Sequence, residues 1–265
     1  MTKETVVIVG AGHAGFQVAV SLRQSGFTGP VRLINDEALL PYQRPPLSKA
    51  YLKGGGGADS LLFRPAKFYA DQAIELVDGH VVAIDRARHV VRLGSGAELP
   101  YGHLVLALGA RNRLLDVPNA GLDGVMYLRN FAESERLRTG IKAGQRLVVI
   151  GAGFIGLEFA ATARAKGLEV DVLELAPRVM VRAVTPEISA YFERKHREAG
   201  IRIHFGVRAT EIEGADGKVT GVALSDGRRI PADLVVVGVG VLPNVELAAE
   251  AGLPVASGII VGSHL

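Results

Sequence analysis

VVIVGAGHAG at residues 6–15 and VVIGAGFIGLE at residues 148–158 carry nearly the same message twice. Each opens on a short apolar, β-branched run of the kind that forms a strand buried on both faces. Each then fits G-x-G-x-x-G, as Gly10-Ala11-Gly12-His13-Ala14-Gly15 and as Gly151-Ala152-Gly153-Phe154-Ile155-Gly156. A lone match to this pattern is weak. Here each match leads into a helical stretch, His13 to Ser25 closed by Gly26 and Phe154 to Lys166 stopped by Gly167. A further strand-like run follows each helix, VRLIN at 31–35 and EVDVLEL at 169–175, and this is the context the motif requires. In such a loop the first glycine allows the tight turn, and the second lets backbone approach a pyrophosphate. The third lets helix and strand pack closely, so that the helix N-terminus aims its N–H groups at the phosphates. The expected fold class is α/β, with two Rossmann-like dinucleotide-binding folds in one chain.

Composition narrows the chemistry. The chain has 265 residues, 48% of them hydrophobic and 22% charged, which suits one large domain or two modest ones. The net charge of +3 is dispersed, and its densest run, ERKHREAGIR at 193–202, reads as the solvated face of an amphipathic helix. No nucleic-acid partner is expected. There is no cysteine, so disulfides, thiolate metal sites, iron–sulfur ligation and a CxxC redox pair are excluded from this span. Redox chemistry would have to come from a bound organic cofactor, and no metal site is expected. No apolar run reaches the roughly 18 residues of a membrane span, and the first residues lack a signal-peptide layout. A cytoplasmic location without membrane contact is therefore expected.

Several side chains are candidates for the site. The second strand of each repeat ends near an acid, Asp36 in LINDE and Glu174 in DVLEL. A carboxylate there can accept hydrogen bonds from an adenosine ribose. Glu37 is an equally near candidate for the first repeat, and an ordinary turn carboxylate is the alternative for Asp36. Glu174 would repel a 2′-phosphate, so the second fold should prefer NADH over NADPH, a preference that Arg178 close behind could weaken. In YQRPPLSKAYL at 42–52, Pro45 and Pro46 fix backbone torsions at the start of a helix running from Arg44 to Tyr51, flanked by Arg44 and Lys49. A rigid corner with two cations suits an electron-rich ring or a phosphate; a Pro-capped surface helix is the alternative. Gly54–Gly57 reads as a surface loop. Glu158 falls in the first turns of an otherwise apolar helix, which the helix dipole alone could explain. Taken with Lys49, it suggests a buried ion pair.

With these residues in view, the chain resembles the FAD-dependent pyridine-nucleotide reductases, and among them the oxygenase-coupled NADH:ferredoxin and rubredoxin reductases. The resemblance runs from about residue 5 to 261 and rests on LPYQRPPLSKAYL, YGHLVLALGAR, VVIGAGFIGLEFAATA, VVVGVGVLPN and GVLPNVELAAEAGL. It implies an FAD-binding domain at 1–112, an inserted NAD-binding domain at 113–236, and a return to the FAD domain at 237–265. It implies FAD on Gly10, Gly12, Ala14 and Gly15, with Asp36 at the ribose and the Val81 backbone at the adenine. Arg44, Lys49, Arg111 and Arg129 would face the pyrophosphate or the flavin, with Lys49 near N5. NADH would lie on Gly151, Gly153, Phe154, Ile155 and Gly156, with Glu174 at its ribose and Gly238 and Gly240 lining the nicotinamide crevice. Glu158 would approach the nicotinamide amide and pair with Lys49, so these two are the candidate catalytic residues. The implied reaction is hydride transfer from nicotinamide C4 to flavin N5, followed by single-electron transfer to a ferredoxin-type iron–sulfur protein.

Two departures qualify the resemblance. The family usually has Thr where this chain has Leu108, which puts the flavin geometry in question. Family members also continue past Gly258-Ile259-Ile260-Val261 into a further strand, a Gly-Asp pair that holds the flavin ribitol, and a C-terminal interface domain. The ending Gly262-Ser263-His264-Leu265 reads as a truncation or cloning remnant. The alternative expectation is therefore a catalytically impaired fragment that binds NADH but holds FAD weakly or not at all. Such a fragment would have an incomplete ferredoxin-docking face and exposed apolar surface prone to self-association.

Overall fold

A computed structural model describes residues 4–263. The expectation attached to the ending Gly262–Leu265 falls in part on His264 and Leu265, which lie outside the described residues. The chain divides into two compact units. One comprises the chain up to Gln43, Ala58–Arg111 and the chain from Leu242. The other comprises Arg44–Gly57 and Asn112–Val241. The first unit is thus built from chain on both sides of the second.

The first unit carries a four-stranded parallel sheet. Its order is Ile74–Asp78, Val31–Asn35, Val6–Val9, His103–Leu106. The helix His13–Gln24 follows the first strand, as the crossover of a βαβ unit requires. The unbroken run Val6–Val9 is explained by burial on both faces. Val6 and Ile8 pack into one apolar cluster with Phe16, Ala19, Leu33 and Tyr69. Val7 and Val9 pack into another with Ile34, Val81, Val91 and Leu93. The period of two along a strand sorts successive valines to opposite faces. A small antiparallel sheet, Val81–Asp85, Val90–Leu93 and Glu98–Pro100, supplies the second cluster from above.

The second unit repeats the plan with five parallel strands. Their order is Arg202–Phe205, Glu169–Glu174, Arg146–Ile150, Leu234–Val237, Val125–Tyr127. The helix Phe154–Ala165 follows the central strand. The three antiparallel strands Ala209–Ala215, Lys218–Leu224 and Arg229–Pro231 cover one sheet face, where Ile212 and Val222 meet Val148 and Ile150. Each unit is a Rossmann-like fold.

The helix expected from Arg44 to Tyr51 is not formed. Only a 3₁₀ turn, Pro45–Ser48, is present. Adjacent prolines withhold two N–H donors, and the turn ends at Lys49, whose φ of −123° and ψ of −107° leave helical space.

Candidate functional site

The two glycine loops share one geometry. The Gly10 N–H donates to the Ile34 carbonyl at 3.1 Å, and the Gly151 N–H donates to that of Leu173 at 2.8 Å. Gly10 has φ +100° and Gly151 has φ +104°, which side chains rarely tolerate. A Cβ on Gly10 would lie 2.3 Å from the Ala107 carbonyl oxygen, and one on Gly151 would lie 2.5 Å from that of Gly238. The third glycines are closer still. A Cβ on Gly15 would sit 1.9 Å from the Gly10 oxygen, and one on Gly156 would sit 2.1 Å from the Gly151 oxygen. These four positions are glycine for reasons internal to the protein.

Gly12 and Gly153 are different. Their φ values are −71° and −78°, ordinary for any residue. A Cβ on either would meet nothing within 4 Å. No protein atom explains why these two are glycine. Open space beside backbone is what a phosphate-bearing ligand needs for close approach. Neither helix has a side-chain cap, so no capping side chain competes for its first N–H groups. Ala14 is exposed at the same place in the first helix. Ile155 is its counterpart in the second, and Phe154 is that of His13; both are large apolar side chains, left 41% and 52% exposed.

The acids do not correspond as the sequence suggests. Hydrogen bonds from the first glycines make Ile34 the equivalent of Leu173 in its own repeat, so that Asn35, not Asp36, holds the position that Glu174 holds in the other. Asn35 Nδ2 donates to the Glu37 and Leu39 carbonyls at 2.9 and 2.7 Å and shapes the turn. Asp36 is one residue further on, exposed, with Oδ2 3.2 Å from His80 Nδ1. Glu37 accepts from the Tyr42 hydroxyl at 2.5 Å. In the second unit Glu174 accepts the Ala152 N–H on Oε2 and the Ala176 N–H on Oε1, each at 2.8 Å. Its carboxylate is thereby fixed beside the glycine loop with lone pairs to spare. Arg178 is committed elsewhere, donating to the Val184 and Val181 carbonyls at 3.0 and 2.9 Å.

Pro45–Ser48 is held by two helices of the second unit, Phe131–Gly140 and Phe154–Ala165. The Ser134 hydroxyl donates to the Leu47 carbonyl at 3.0 Å, and the Thr162 hydroxyl donates to the Ser48 carbonyl at 3.1 Å. The Ser48 hydroxyl reaches back to Glu158 Oε2 at 2.6 Å. Lys49 Nζ meets the same oxygen at 2.7 Å and the Pro45 carbonyl at 3.2 Å. The expected Lys49–Glu158 pair exists, but it is not buried. Its side chains are 49% and 29% exposed, because Lys49 is already past the end of the turn. A pair this wet contributes on the order of 1 kcal/mol or less.

The remaining candidates are dispersed. Val81 is buried at the start of its strand. Arg111 is paired with Glu246 at 2.6 Å and donates to Asn244 Oδ1 at 3.0 Å. Arg44 donates to the Arg129 carbonyl at 3.0 Å, and the Arg129 N–H donates to Glu133 at 2.6 Å. A Cβ on Gly238 would lie 3.7 Å from the Gly156 Cα, an ordinary contact, whereas one on Gly240, at φ +105°, would meet nothing within 4 Å. Leu108 packs its side chain into the cluster of Val7, Val9 and Val81, and its carbonyl accepts Asn244 Nδ2 at 2.8 Å. Sequence reading missed Asn35, Ser48, Ser134, Thr162 and Asn244. Only Thr162 left a signal, four residues after Glu158 on the same helical face. Among the described residues no group of three or more His, Asp or Glu is placed to hold a metal ion, and no helix is long and apolar enough to cross a membrane.

Comparison with known proteins bears on these loops. The profile of the family described as pyridine nucleotide-disulphide oxidoreductase matches residues 4–265. Rhodocoxin reductase of Rhodococcus erythropolis is 50% identical over 98% of this chain and 61% of its own length. The crystal structure of the ferredoxin reductase for the CYP199A2 system from Rhodopseudomonas palustris superposes with a TM-score of 0.96. Its identity is 68%, over 97% of this chain and 64% of that one. Putidaredoxin reductase, in its covalent complex with putidaredoxin, superposes with a TM-score of 0.95 at 45% identity, over 98% of this chain and 64% of that one. The chain therefore spans a little under two thirds of the length of these relatives.

Proposed function

Because the chain belongs to the pyridine nucleotide-disulphide oxidoreductase family, we propose that it is the nucleotide-binding part of an NADH-dependent flavoprotein reductase. It would pass electrons from NADH through FAD to a ferredoxin-type iron–sulfur protein of an oxygenase system. The observation that carries this reading is the free space at Gly12 and Gly153, which hold the same position in two matching loops. The relatives named above, ferredoxin-type reductases, support the choice of reaction. The absence of cysteine supports it too, since the span holds no thiol for disulphide chemistry.

In this reading FAD takes the first unit, on Gly10, Gly12, Ala14 and Gly15, with Asp36 toward its ribose and Val81 toward its adenine. NADH takes the second, on Gly151, Gly153, Phe154, Ile155 and Gly156, with Glu174 accepting from its ribose and Gly238 and Gly240 beside its nicotinamide. The flavin, when bound, would supply the conversion of a two-electron donor into a one-electron donor. The protein's own part is positioning, which is worth much in such a step. Glu158 offers a carboxylate oxygen to the nicotinamide amide and Lys49 holds the charge balance beside it. The reach of Arg44, Lys49, Arg111 and Arg129 toward the flavin cofactor is part of the proposal. A cytoplasmic site of action, where NADH is at hand, belongs to the same reading.

The test is NADH-dependent reduction of a one-electron acceptor, ferricyanide, by protein supplied with FAD. The proposal expects turnover well above that of free FAD, and faster with NADH than with NADPH. Turnover equal to free FAD would contradict it.

A further inference from the structure

We infer that Ser48 is a positioning residue for Glu158, and that it, more than Lys49, fixes where the Glu158 carboxylate points. The inference rests on the reading that Glu158 meets the nicotinamide of NADH.

Three observations carry it. First, Ser48 is buried, at 5% exposure, whereas the Lys49 side chain is half-exposed. A lysine at the surface retains rotamer freedom and its attraction is screened; a buried serine has one short side chain and little choice. Second, the Ser48 hydroxyl has one proton and two acceptors in range, Glu158 Oε2 at 2.6 Å and the Pro45 carbonyl at 3.5 Å. The short bond to a carboxylate is the stronger by far, so the proton goes to Glu158. Third, Ser48 is pinned independently of that bond. Thr162 holds its carbonyl, and Ser134 holds the carbonyl before it. Glu158 and Thr162 stand four apart on one helical face, so the helix grips Ser48 at two points.

The consequence is directional. Ser48 and Lys49 both occupy Oε2 of Glu158. Among the described residues no hydrogen bond to Oε1 is formed. The serine thus turns one carboxylate oxygen inward and leaves the other for a ligand donor such as the carboxamide N–H of a nicotinamide. Glu158 without Ser48 would still have a cation beside it, but no fixed orientation.

The test is calorimetric titration with NAD+, which cannot reduce a flavin, on wild type and on Ser48→Ala, Ser48→Thr, Glu158→Ala and the double variant Ser48→Ala with Glu158→Ala. Ser48→Ala is expected to weaken NAD+ binding about fivefold, the scale of one charge-assisted hydrogen bond lost indirectly. Ser48→Thr, which keeps the hydroxyl, should restore it. In the Glu158→Ala background Ser48→Ala should change nothing further. Weakening that persists in that background means that Ser48 acts through the fold, and overturns the inference. Ser48→Ala binding as wild type while Glu158→Ala binds weakly overturns it alone and leaves the proposed function standing. Glu158→Ala binding as wild type overturns the assignment of Glu158 itself. Should Ser48→Ala not fold, Ser48→Cys carries the same expectation, having similar size and only a weak donor.

Discussion

At the scale of the residue, six motif glycines do two kinds of work, and mutation should separate them. Gly151→Ala and Gly156→Ala drive a Cβ to 2.5 and 2.1 Å from backbone oxygens, so both should damage folding, seen as loss of the cooperative thermal transition. Gly153→Ala adds a methyl to open space and should leave the melting temperature near wild type while weakening NADH binding, read by titration. Equal loss of stability in all three would refute the distinction. Glu174 makes a second case. Its replacement by Ala removes a negative charge and frees the Ala152 and Ala176 N–H groups for an anion. Glu174→Ala should therefore weaken NADH roughly tenfold and narrow the NADH over NADPH ratio, measured as two dissociation constants. An unchanged ratio would remove Glu174 from the ribose. The glycine spacing was legible in the sequence because local backbone geometry demands four of the six, and the Glu174 acid because it ends the strand that follows the motif helix. Asn35 was not, because its equivalence to Glu174 follows from the hydrogen bond that each first glycine makes to the second strand of its own sheet, while Asp36 and Glu37 look like better acids.

At the scale of the element, the expected helix at 44–51 failed and the short turn that replaced it is informative. Two prolines suit a helix start locally, but Ser134 and Thr162 take the carbonyls of Leu47 and Ser48 and hold the turn as it is. Those two hydroxyls lie far along the chain, so no local pattern announces them. The edge strand Arg202–Phe205 is fastened in a comparable way. Asp171, buried in the neighbouring strand, accepts Arg202 at 2.9 and 2.7 Å and His204 at 2.7 Å. Burial alone would push the Asp171 carboxyl up, but hydrogen bonds from Arg202 and His204 outweigh it and hold it below the usual range. A lowered folded value makes this stabilisation complete above the unfolded value of about 3.9 and lost as pH falls through the folded value. Asp171→Asn should cost about 3 kcal/mol at neutral pH, the low end for a broken buried pair, because Arg202 is half-exposed and can turn to water. The measurement is the urea midpoint against pH. The difference between variant and wild type should shrink below pH 4, and a constant difference would show that the charge of Asp171 is not involved.

At the scale of the whole molecule, one chain carries two Rossmann-like units, and each should respond to its own ligand. NAD+ at about a hundred times its dissociation constant should stabilise the unit it binds by about 2.7 kcal/mol. Hydrogen exchange should then slow at 151–158 and 174–176 and stay unchanged at 10–16; slowing at both loops alike would contradict separate sites. The duplication was plain in the sequence, since two strand–glycine–helix repeats need no long-range knowledge. That Arg44–Gly57 belongs to the second unit was not, because it depends on side chains more than eighty residues away in the chain, as in Ser134 to Leu47. The central claim is that the first unit takes a flavin which NADH in the second can reduce. Its most direct test is an anaerobic titration of the FAD-supplied protein, after removal of free FAD, with absorbance followed in the flavin bands. The account predicts a yellow protein whose colour bleaches stoichiometrically on adding NADH. A colourless protein, or a yellow one that NADH leaves unbleached, would contradict it.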